Sequence, residues 1–337
     1  MTSTPAVSFI MPAYNVGDFL EYSVLSVQNQ SFNDWELLII DDGSTDRTLE
    51  IAAALSTKDS RIKVIQMEKA SGSAYQPRKK GILSAKAPLV APLDADDFIA
   101  PGYTQNLLSL HKKYNADIVY PTMYYYNGIT SELKTPQDLN LLNRPLKGKD
   151  CVKFTLDFWR INCNGGIIRK DLYLNAYELY DSSVCYSCAD ELLTRQLLYL
   201  ANIVVLSPAE YYYRNNPESI TKKKSLKLFD YIKNNRELIF FTEKNYGLGS
   251  EENILAQRQN FHGVFAGLRL MNKHKFIGSE KKEAYWMIQT SRELFDYEFL
   301  KGKVSPRYSA ISRLGLSKIR VILKYFDLIN KNLFFLR

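Results

Sequence analysis

Short apolar runs alternate with amphipathic segments along the first 120 residues of the chain. Apolar runs of four or five residues are typical of buried strands, and apolar positions that recur every three to four residues predict helices. The predicted strands span residues 7–11, 36–40, 62–65, 89–93 and 117–120, and the predicted helices span residues 18–28, 48–55, 78–85 and 103–114. Strands and helices that alternate over short links predict an α/β fold with a mostly parallel sheet, flanked by helices on both faces.

The first predicted helix has a candidate cap and a candidate buried face. Asp18 is a residue type that favours the start of a helix, so we expect it to cap this one. Phe19, Tyr22 and Leu25, followed by Ser26, recur at helical spacing. We therefore expect these four side chains to face the sheet.

The pattern changes beyond residue 221, where three consecutive lysines indicate an exposed boundary. Mixed apolar faces then predict helices over residues 229–246, 253–274 and 281–300. We therefore expect two domains, residues 1–221 with the sheet and residues 222–337 as a helical C-terminal extension.

The end of the chain is basic and amphipathic. Residues 301–337 carry nine basic side chains against the single acid Asp327, a local excess equal to the net charge of +8 of the whole chain. The apolar positions of one predicted helical face are Ile319, Ile322, Leu323, Phe326, Ile329 and Leu333, and the basic positions opposite are Arg320, Lys324 and Lys331. Such a helix suits an anionic membrane surface, and packing on its own domain or on a dimer partner is the alternative. We expect no nucleic-acid partner because no binding motif for one is present.

Several features together favour a cytoplasmic protein. No apolar run reaches the roughly 18 residues needed to span a membrane, and no early stretch reads as a signal peptide. Four cysteines in 337 residues are typical of a reducing compartment, and we interpret the pair Cys185 and Cys188 as structural or incidental. Binding of the basic tail to lipid would place the protein on the inner face of the plasma membrane.

Three carboxylates follow the fourth predicted strand. Asp94, Asp96 and Asp97 occupy three of four consecutive positions. Carboxylates this close repel one another, and a divalent cation such as Mn²⁺ or Mg²⁺ between them would remove that repulsion. An acidic turn that caps the following helix is the alternative, although one cap does not need three acids.

Polar residues also follow the first two predicted strands, at residues 12–15 and 41–46. The carboxyl ends of parallel strands meet along one edge of a sheet, where ligands bind in such folds. The sequence lacks the glycine pattern of a dinucleotide-binding loop and lacks a Walker loop. A dehydrogenase and a P-loop ATPase are therefore not expected.

The motifs at residues 7–15, 36–46 and 93–97, taken in this order, resemble the inverting family 2 glycosyltransferases of the GT-A fold. The resemblance continues more loosely to residue 221. It implies a nucleotide-binding half at residues 1–120 and an acceptor half at residues 121–221. It also implies metal-assisted transfer of a sugar, with inversion, from a nucleotide-sugar donor such as a UDP-sugar to a hydroxyl of a glycan or lipid-linked glycan.

The resemblance assigns the donor nucleotide to the first two motifs. It implies that Pro12, Ala13 and Tyr14 line the pocket for the base. It further implies that Asp42 accepts a hydrogen bond from the base and that Asp41 supports the turn.

The resemblance assigns the donor diphosphate to the third motif and to one basic residue. It implies that Asp94 and Asp96 bind the metal, with Asp97 supporting them, and that Asp94 and Ala95 also contact the nucleotide-sugar. Arg78 corresponds to the basic residue near the diphosphate.

The resemblance also supplies a general base and an acceptor side. Asp190 matches the family's base, with Glu191 as its rival, and both could instead be acids that favour the start of a helix. Trp159, Asn164 and Gly165 are expected on the acceptor side, where the ring of Trp159 would stack on a sugar unless it is buried in the core.

Two other function classes remain possible at this point. A nucleotidyltransferase on a related sheet would release pyrophosphate from a nucleoside triphosphate and gives no reason for Asp190. A non-catalytic scaffold that retains the fold would not hydrolyse a nucleotide-sugar donor.

Overall fold

The computed structural model describes residues 4–133, 141–157, 165–179, 189–216, 225–274, 276–294 and 296–304, and residue 318. The chain packs as two compact units, Met1–Pro217 and Glu218–Arg337. The boundary expected at residue 221 lies outside the described residues.

The first unit has a sheet of strands covered by helices. Its strands are β1 (Val7–Ala13), β2 (Trp35–Asp41), β3 (Ile62–Gln66), β4 (Leu89–Pro92), β5 (Phe98–Ile99), β6 (Ile118–Tyr126), β7 (Ser131–Leu133), β8 (Pro145–Lys147), β9 (Ile167–Arg169) and β10 (Ile203–Arg214). Its helices are α1 (Gly17–Gln28), α2 (Thr48–Lys58), α3 (Tyr75–Ser84), α4 (Tyr103–Tyr114), α5 (Gly148–Asp157), α6 (Lys170–Leu179) and α7 (Ala189–Leu200).

The strands form one sheet in the order β3-β2-β1-β4-β9-β6-β10-β5, with β7 paired to β6 and β8 paired to β10. The parallel pairs are β1 with β2 and β4, β2 with β3, and β6 with β10, and they contain most of the paired residues. The expected mostly parallel α/β sheet is therefore confirmed. The short antiparallel strands β5, β7, β8 and β9 were not predicted.

Strand β1 continues two residues beyond its predicted end, through Pro12 and Ala13. Ile10 accepts a backbone hydrogen bond from Leu93, on the β4 side, whereas Ala13 accepts one from Asp42, on the β2 side. Alternate residues of a strand face alternate neighbours, so the missing N–H of Pro12 faces the β4 side. The pairing of β1 with β4 ends before Pro12, at Ile10 opposite Pro92. Pro12 therefore interrupts no hydrogen bond between these two strands.

Helix α1 turns a different face to the sheet than expected. Its buried residues are Leu20, Ser23, Val24 and Val27. Tyr22 is 50% exposed and Leu25 is 49% exposed, so the predicted face was wrong. Asp18 is also not the cap, because the helix begins at Gly17 after Val16 and has no side-chain cap.

Helix α3 lies close against the centre of the sheet. It begins at Tyr75, three residues before the predicted start. A Cβ atom at Gly81 would lie 2.6 Å from side-chain atoms of both Ile10 and Ile40. A residue without a side chain therefore lets this helix pack directly on β1 and β2, with Arg78 buried beside the sheet.

The second unit is helical, as predicted. It contains a short 3-10 helix (Leu226–Phe229), α8 (Asp230–Tyr246), α9 (Glu251–His274), α10 (Gly278–Arg292) and α11 (Tyr297–Leu300). Phe229, Phe261, Leu268 and Ile288 are among the residues of its buried core. The predicted amphipathic face between residues 319 and 333 lies outside the described residues. Within the described ranges, no helix combines the length and the apolar character required to cross a membrane.

Candidate functional site

The carboxyl ends of β1 and β2 form one continuous wall. Ala13 lies opposite Asp41 in the register of the two strands. Beyond them, Asn15 adopts a positive φ of 51° and its side-chain oxygen accepts a hydrogen bond from the backbone N–H of Thr45 at 2.8 Å. The backbone N–H of Asn15 donates to Ser44 Oγ at 3.0 Å. The two polar motifs are thus fixed together, beside the 42% exposed ring of Tyr14.

The two acids at the end of β2 have different surroundings. Asp41 is fully buried and accepts from the backbone N–H of Ser44 at 3.3 and 3.4 Å, which is the turn-supporting position expected for it. Asp42 accepts from both the backbone N–H and the hydroxyl of Ser71, each at 2.9 Å. A nucleotide base would share the Asp42 carboxylate with Ser71, a residue that the sequence did not single out.

Arg78 and Asp94 form a buried ion pair. Arg78 Nη2 donates to Asp94 Oδ1 at 3.0 Å, with the arginine side chain 3% exposed and the aspartate side chain 24% exposed. The close packing of α3 on the sheet brings this arginine to the end of β4. A buried cation is thereby held beside the carboxylates, as a site for anionic phosphate groups requires.

The acidic turn, defined here as residues 94–97, is held by the end of β10. Asp97 accepts from the hydroxyl of Tyr211 at 2.7 Å through Oδ2 and from the backbone N–H of Arg214 at 2.8 Å through Oδ1. Asp96 accepts from Asn216 Nδ2 at 3.0 Å through one oxygen. Both oxygens of Asp97 are therefore engaged with the end of β10.

Helix α1 holds the same turn from the other side. The hydroxyl of Ser23 lies 2.8 Å from the carbonyl oxygen of Ala95 and 2.5 Å from that of Asp97. Ala95 is itself buried, with 2% of its surface exposed. Ala95 thus presents its carbonyl to Ser23 and packs in the core.

Arg214 is surrounded by aromatic rings. Its guanidinium carbon lies between 4.9 and 5.5 Å from the ring centres of Phe19, Tyr22, Phe98 and Tyr126. Its Nε donates to the backbone carbonyl of Asp96 at 2.9 Å. The sequence grouped residues 211–214 only as a closing segment, and their contacts with the acidic turn were not predicted.

Burial and mutual repulsion act on the acids of this turn. Burial raises the pKa of Asp96, and the negative charge of Asp94 raises it further. Burial also raises the pKa of Asp97 well above its ordinary value, with contributions from Asp96 and Asp94. A nearby cation would relieve this repulsion.

Two carboxylates of the acidic turn suit a divalent metal that is shared with a ligand. Within the described part of the chain, no group of three or more His, Cys, Asp or Glu side chains could hold a metal ion by itself. Asp94 and Asp96 offer hard carboxylate oxygens and repel each other, which suits Mg²⁺ or Mn²⁺ that takes its other oxygens from a diphosphate and water. The two residues fit a shared metal of this kind, and Asp97 fits the supporting position rather than that of a ligand.

Asp190 and Glu191 begin helix α7 but have different partners. Burial raises the pKa of Asp190 to about 6, with further increases from the charges of Glu191 and Asp94 that Arg78 partly opposes. Glu191 instead forms an ion pair with the buried Arg195, which also donates to the Thr155 carbonyl at 2.9 Å. Asp190 thus lies within electrostatic reach of both Arg78 and Asp94.

The expected acceptor side is described only in part. Trp159 and Asn164 lie outside the described residues, as do Cys185 and Cys188. Gly165 is buried, and a Cβ atom there would lie 3.4 Å from the ring of Tyr211. This segment therefore adjoins the residue that holds the acidic turn.

Comparison with known proteins finds a family match within the first unit. Residues 8–173 match Glycosyl transferase family 2. The chain is 28% identical over 225 residues to the uncharacterized glycosyltransferase EpsJ of Bacillus subtilis, covering 65% of this chain and 63% of that protein. It is 33% identical over 160 residues to the UDP-Glc:alpha-D-GlcNAc-diphosphoundecaprenol beta-1,3-glucosyltransferase WfgD of Escherichia coli, covering 46% of this chain and 62% of that protein. The alignments thus span less than two thirds of either relative.

A solved structure has the same fold. The crystal structure of residues 1–349 of TarS from S. aureus in complex with UDP-GlcNAc matches with a TM-score of 0.68 at 17% identity, covering 96% of this chain and 91% of that one. The GT-A fold expected from the sequence is confirmed by this likeness.

Proposed function

This chain belongs, through residues 8–173, to glycosyl transferase family 2, and we propose that it transfers a sugar from a UDP-sugar to a hydroxyl of a glycan acceptor. The observation that carries the proposal is the group formed by Arg78, Asp94 and Asp190 beside the carboxyl ends of β1, β2 and β4. This group combines a cation for a diphosphate, a carboxylate for a metal and a carboxylate whose raised pKa suits a base.

The donor is bound along the wall of β1 and β2. Pro12, Ala13 and Tyr14 line the base pocket, Asp42 accepts from the base, and Asp41 keeps the turn in place. A UDP-sugar is supported by the complex of TarS with UDP-GlcNAc and by the UDP-Glc in the name of WfgD.

The diphosphate lies beside the ion pair of Arg78 with Asp94. Asp94 and Asp96 would hold Mn²⁺ or Mg²⁺, whereas Ala95 between them is buried in the core, so its expected contact with the nucleotide-sugar could come only from its backbone. The metal, when bound, supplies positive charge that stabilises the leaving diphosphate. Arg78 adds a second positive charge that is buried and already oriented by Asp94.

Asp190 acts as the general base of a single inverting displacement. It accepts the proton of the acceptor hydroxyl while the hydroxyl oxygen forms a bond to the anomeric carbon and the bond from that carbon to the diphosphate breaks. Glu191 is the weaker candidate because its carboxylate is paired with Arg195.

The acceptor is a glycan or a lipid-linked glycan, in the biosynthesis of a surface polysaccharide. The diphosphoundecaprenol in the name of WfgD supports the lipid-linked form, and the basic residues 301–337 would hold the protein at an anionic membrane surface. We expect the purified protein to prefer anionic vesicles to neutral ones. Deletion of residues 313–337 should remove that preference, and unchanged partition would contradict it.

The test of transfer is UDP release from a panel of UDP-sugars with and without glycan acceptors. We expect Asp190→Asn to lower kcat by roughly 10²-fold or more and to leave UDP binding unchanged, because a proton acceptor is lost while the nucleotide contacts remain. Glu191→Gln, at the next position, is the matched control and should stay within a few-fold of the wild type. Normal transfer by Asp190→Asn would refute the assignment of the base, and pyrophosphate release from a nucleoside triphosphate would favour a nucleotidyltransferase.

A further inference from the structure

Tyr211 places one hydroxyl between two residues of the acidic turn. This hydroxyl donates to Asp97 Oδ2 at 2.7 Å and accepts from the backbone N–H of Asp94 at 3.3 Å. The turn is itself closed by the backbone N–H of Asp97, which donates to the carbonyl of Asp94 at 3.0 Å. The Tyr211 hydroxyl therefore bridges the first and the last residue of the turn that carries Asp96.

Strand pairing fixes Tyr211 against this turn. Strand β5 follows the acidic turn directly, and Tyr211 lies opposite Ile99 in the antiparallel pair of β10 with β5. The same strand β10 is paired on its other side with β6, where Tyr211 lies opposite Met123. The tyrosine is fully buried between these neighbours, so its hydroxyl has little freedom to move.

The hydroxyl of Tyr211 contacts the acidic turn and not the proposed ligand. Asp97, the residue to which it donates, has its second oxygen bonded to the backbone N–H of Arg214. Asp97 is thus held by β10 on both oxygens, whereas Asp94 and Asp96 are the acids to which the proposed function assigns the metal and the diphosphate. The tyrosine acts through the turn and not on the ligand.

We propose that Tyr211 is a positioning residue, whose hydroxyl sets the placement of Asp94 and Asp96 through the Asp94 N–H and the Asp97 carboxylate. The inference rests on the proposed function only in that Asp94 and Asp96 bind a diphosphate and its metal. Groups that orient metal ligands in this way typically contribute 10- to 100-fold to metal affinity or activity.

Tyr211→Phe tests the proposal because it removes the hydroxyl and keeps the ring. We expect the Mn²⁺ concentration that gives half-maximal UDP binding to rise by roughly tenfold, and kcat/KM to fall by roughly 10- to 100-fold. UDP binding without metal should change much less. Tyr212→Phe is the matched control, because the Tyr212 hydroxyl donates to Glu210 at 2.5 Å instead of to the acidic turn. The control should stay within about twofold.

A second variant keeps the test decisive if Tyr211→Phe folds poorly. Asp97→Asn addresses the same contact from the other side, and it should also raise the Mn²⁺ requirement for UDP binding. In the double variant the two effects should be far from additive, because each removes the same bridge.

The outcomes separate this inference from the proposed function. Metal-dependent UDP binding by the wild type that is lost in Asp96→Ala but unchanged in Tyr211→Phe would overturn the inference alone. An equal change in Tyr211→Phe and Tyr212→Phe would also overturn it. Absence of UDP binding by the wild type, with and without Mn²⁺, would overturn both.

Discussion

The two ends of the same sheet both bury carboxylates, yet they do so with opposite electrostatic results. At the amino end, burial raises the pKa of Glu36, but hydrogen bonds from Lys63, Ser8 and the Lys86 N–H outweigh it, so the pKa is lowered overall. At the carboxyl end, burial and neighbouring acids raise the pKa of Asp96 and of Asp190. Burial of acids thus ends in a lowered pKa at the amino end of the sheet and in raised pKa values at the carboxyl end.

The partners explain the difference. The carboxylate of Glu36 accepts from Ser8 Oγ and the Lys86 N–H at 2.7 Å each and from Lys63 Nζ at 2.8 Å. In the acidic turn Arg78 is bonded to Asp94 and Arg214 to the backbone carbonyl of Asp96, yet burial and the charge of Asp94 still raise the pKa of Asp96. Repulsion between acids that remains in a folded protein is typical of a site where a ligand or a proton supplies the missing positive charge. We therefore assign a structural role to Glu36 and a functional role to the acidic turn.

The largest expected effect follows from removing an acid at the carboxyl end. Asp96→Ala should abolish metal-dependent UDP binding and lower transfer by roughly 10²- to 10³-fold or more, because a metal ligand and its charge are lost. Its Tm should be unchanged or higher, since the repulsion with Asp94 is removed. Calorimetric titration with UDP measures the loss of binding, and thermal unfolding measures the Tm. A large fall in Tm with normal UDP binding would show that Asp96 has a structural role instead.

The reverse pattern is expected at the amino end. Glu36→Gln should lower the free energy of unfolding by about 2–3 kcal/mol, because an amide cannot satisfy Lys63, Ser8 and the Lys86 N–H together. The KM for the donor should be unchanged at temperatures where the variant is folded. Urea unfolding and steady-state kinetics check this, and a changed KM at full stability would contradict it.

The raised pKa of Asp190 predicts that kcat/KM falls at acid pH. Asp190 must be ionised to accept a proton, and burial raises its pKa to about 6, so kcat/KM should fall tenfold per pH unit below about pH 6. Above that pH kcat/KM should be flat. A profile of kcat/KM against pH measures the fall, and residual transfer by Asp190→Asn that retained the same fall would assign it to another group.

The smallest effect is expected from a satisfied acid at the amino end. A hydrogen bond from Arg61 lowers the pKa of Asp59 to about 2. A lowered pKa means that this contribution to stability is present above about pH 4 and is lost as the pH falls through 2. Asp59→Asn should therefore cost about 1 kcal/mol at pH 7 and less at pH 2.5. Urea unfolding at the two pH values checks the change, and an equal cost at both would contradict it.

The sequence predicted those parts of the fold that depend on local periodicity. The apolar runs of β1 to β4 and the helices of the second unit were found because each carries its own pattern. Strands β5 and β9, of two and three residues, carry too little pattern and form because distant strands offer free edges. The buried face of α1 was also mispredicted because it depends on residues distant in the sequence. The polar Ser23 lies on the buried face, where its hydroxyl donates to the carbonyls of residues 95 and 97.

The candidate site shows the same division. Asp94, Asp96 and the ends of β1 and β2 could be placed together because parallel strands end at one edge. Ser71, Tyr211 and Arg214 contact those residues from 29 and more than 110 positions away along the chain. Contacts of that range depend on the register of β10 and on loop geometry, which no short motif encodes.

Metal-dependent donor binding by Asp94 and Asp96 is tested most directly by calorimetric titration of the protein with UDP and with GDP, each with and without Mn²⁺. We expect binding of UDP that requires Mn²⁺ and no comparable binding of GDP, because the neighbouring carboxylates of Asp94 and Asp96 repel a diphosphate unless a cation lies between them. Binding of UDP that is equally strong without any metal would contradict the assignment of Asp94 and Asp96. Failure to bind either nucleotide under all four conditions would contradict the proposed transfer and favour a scaffold that retains the fold.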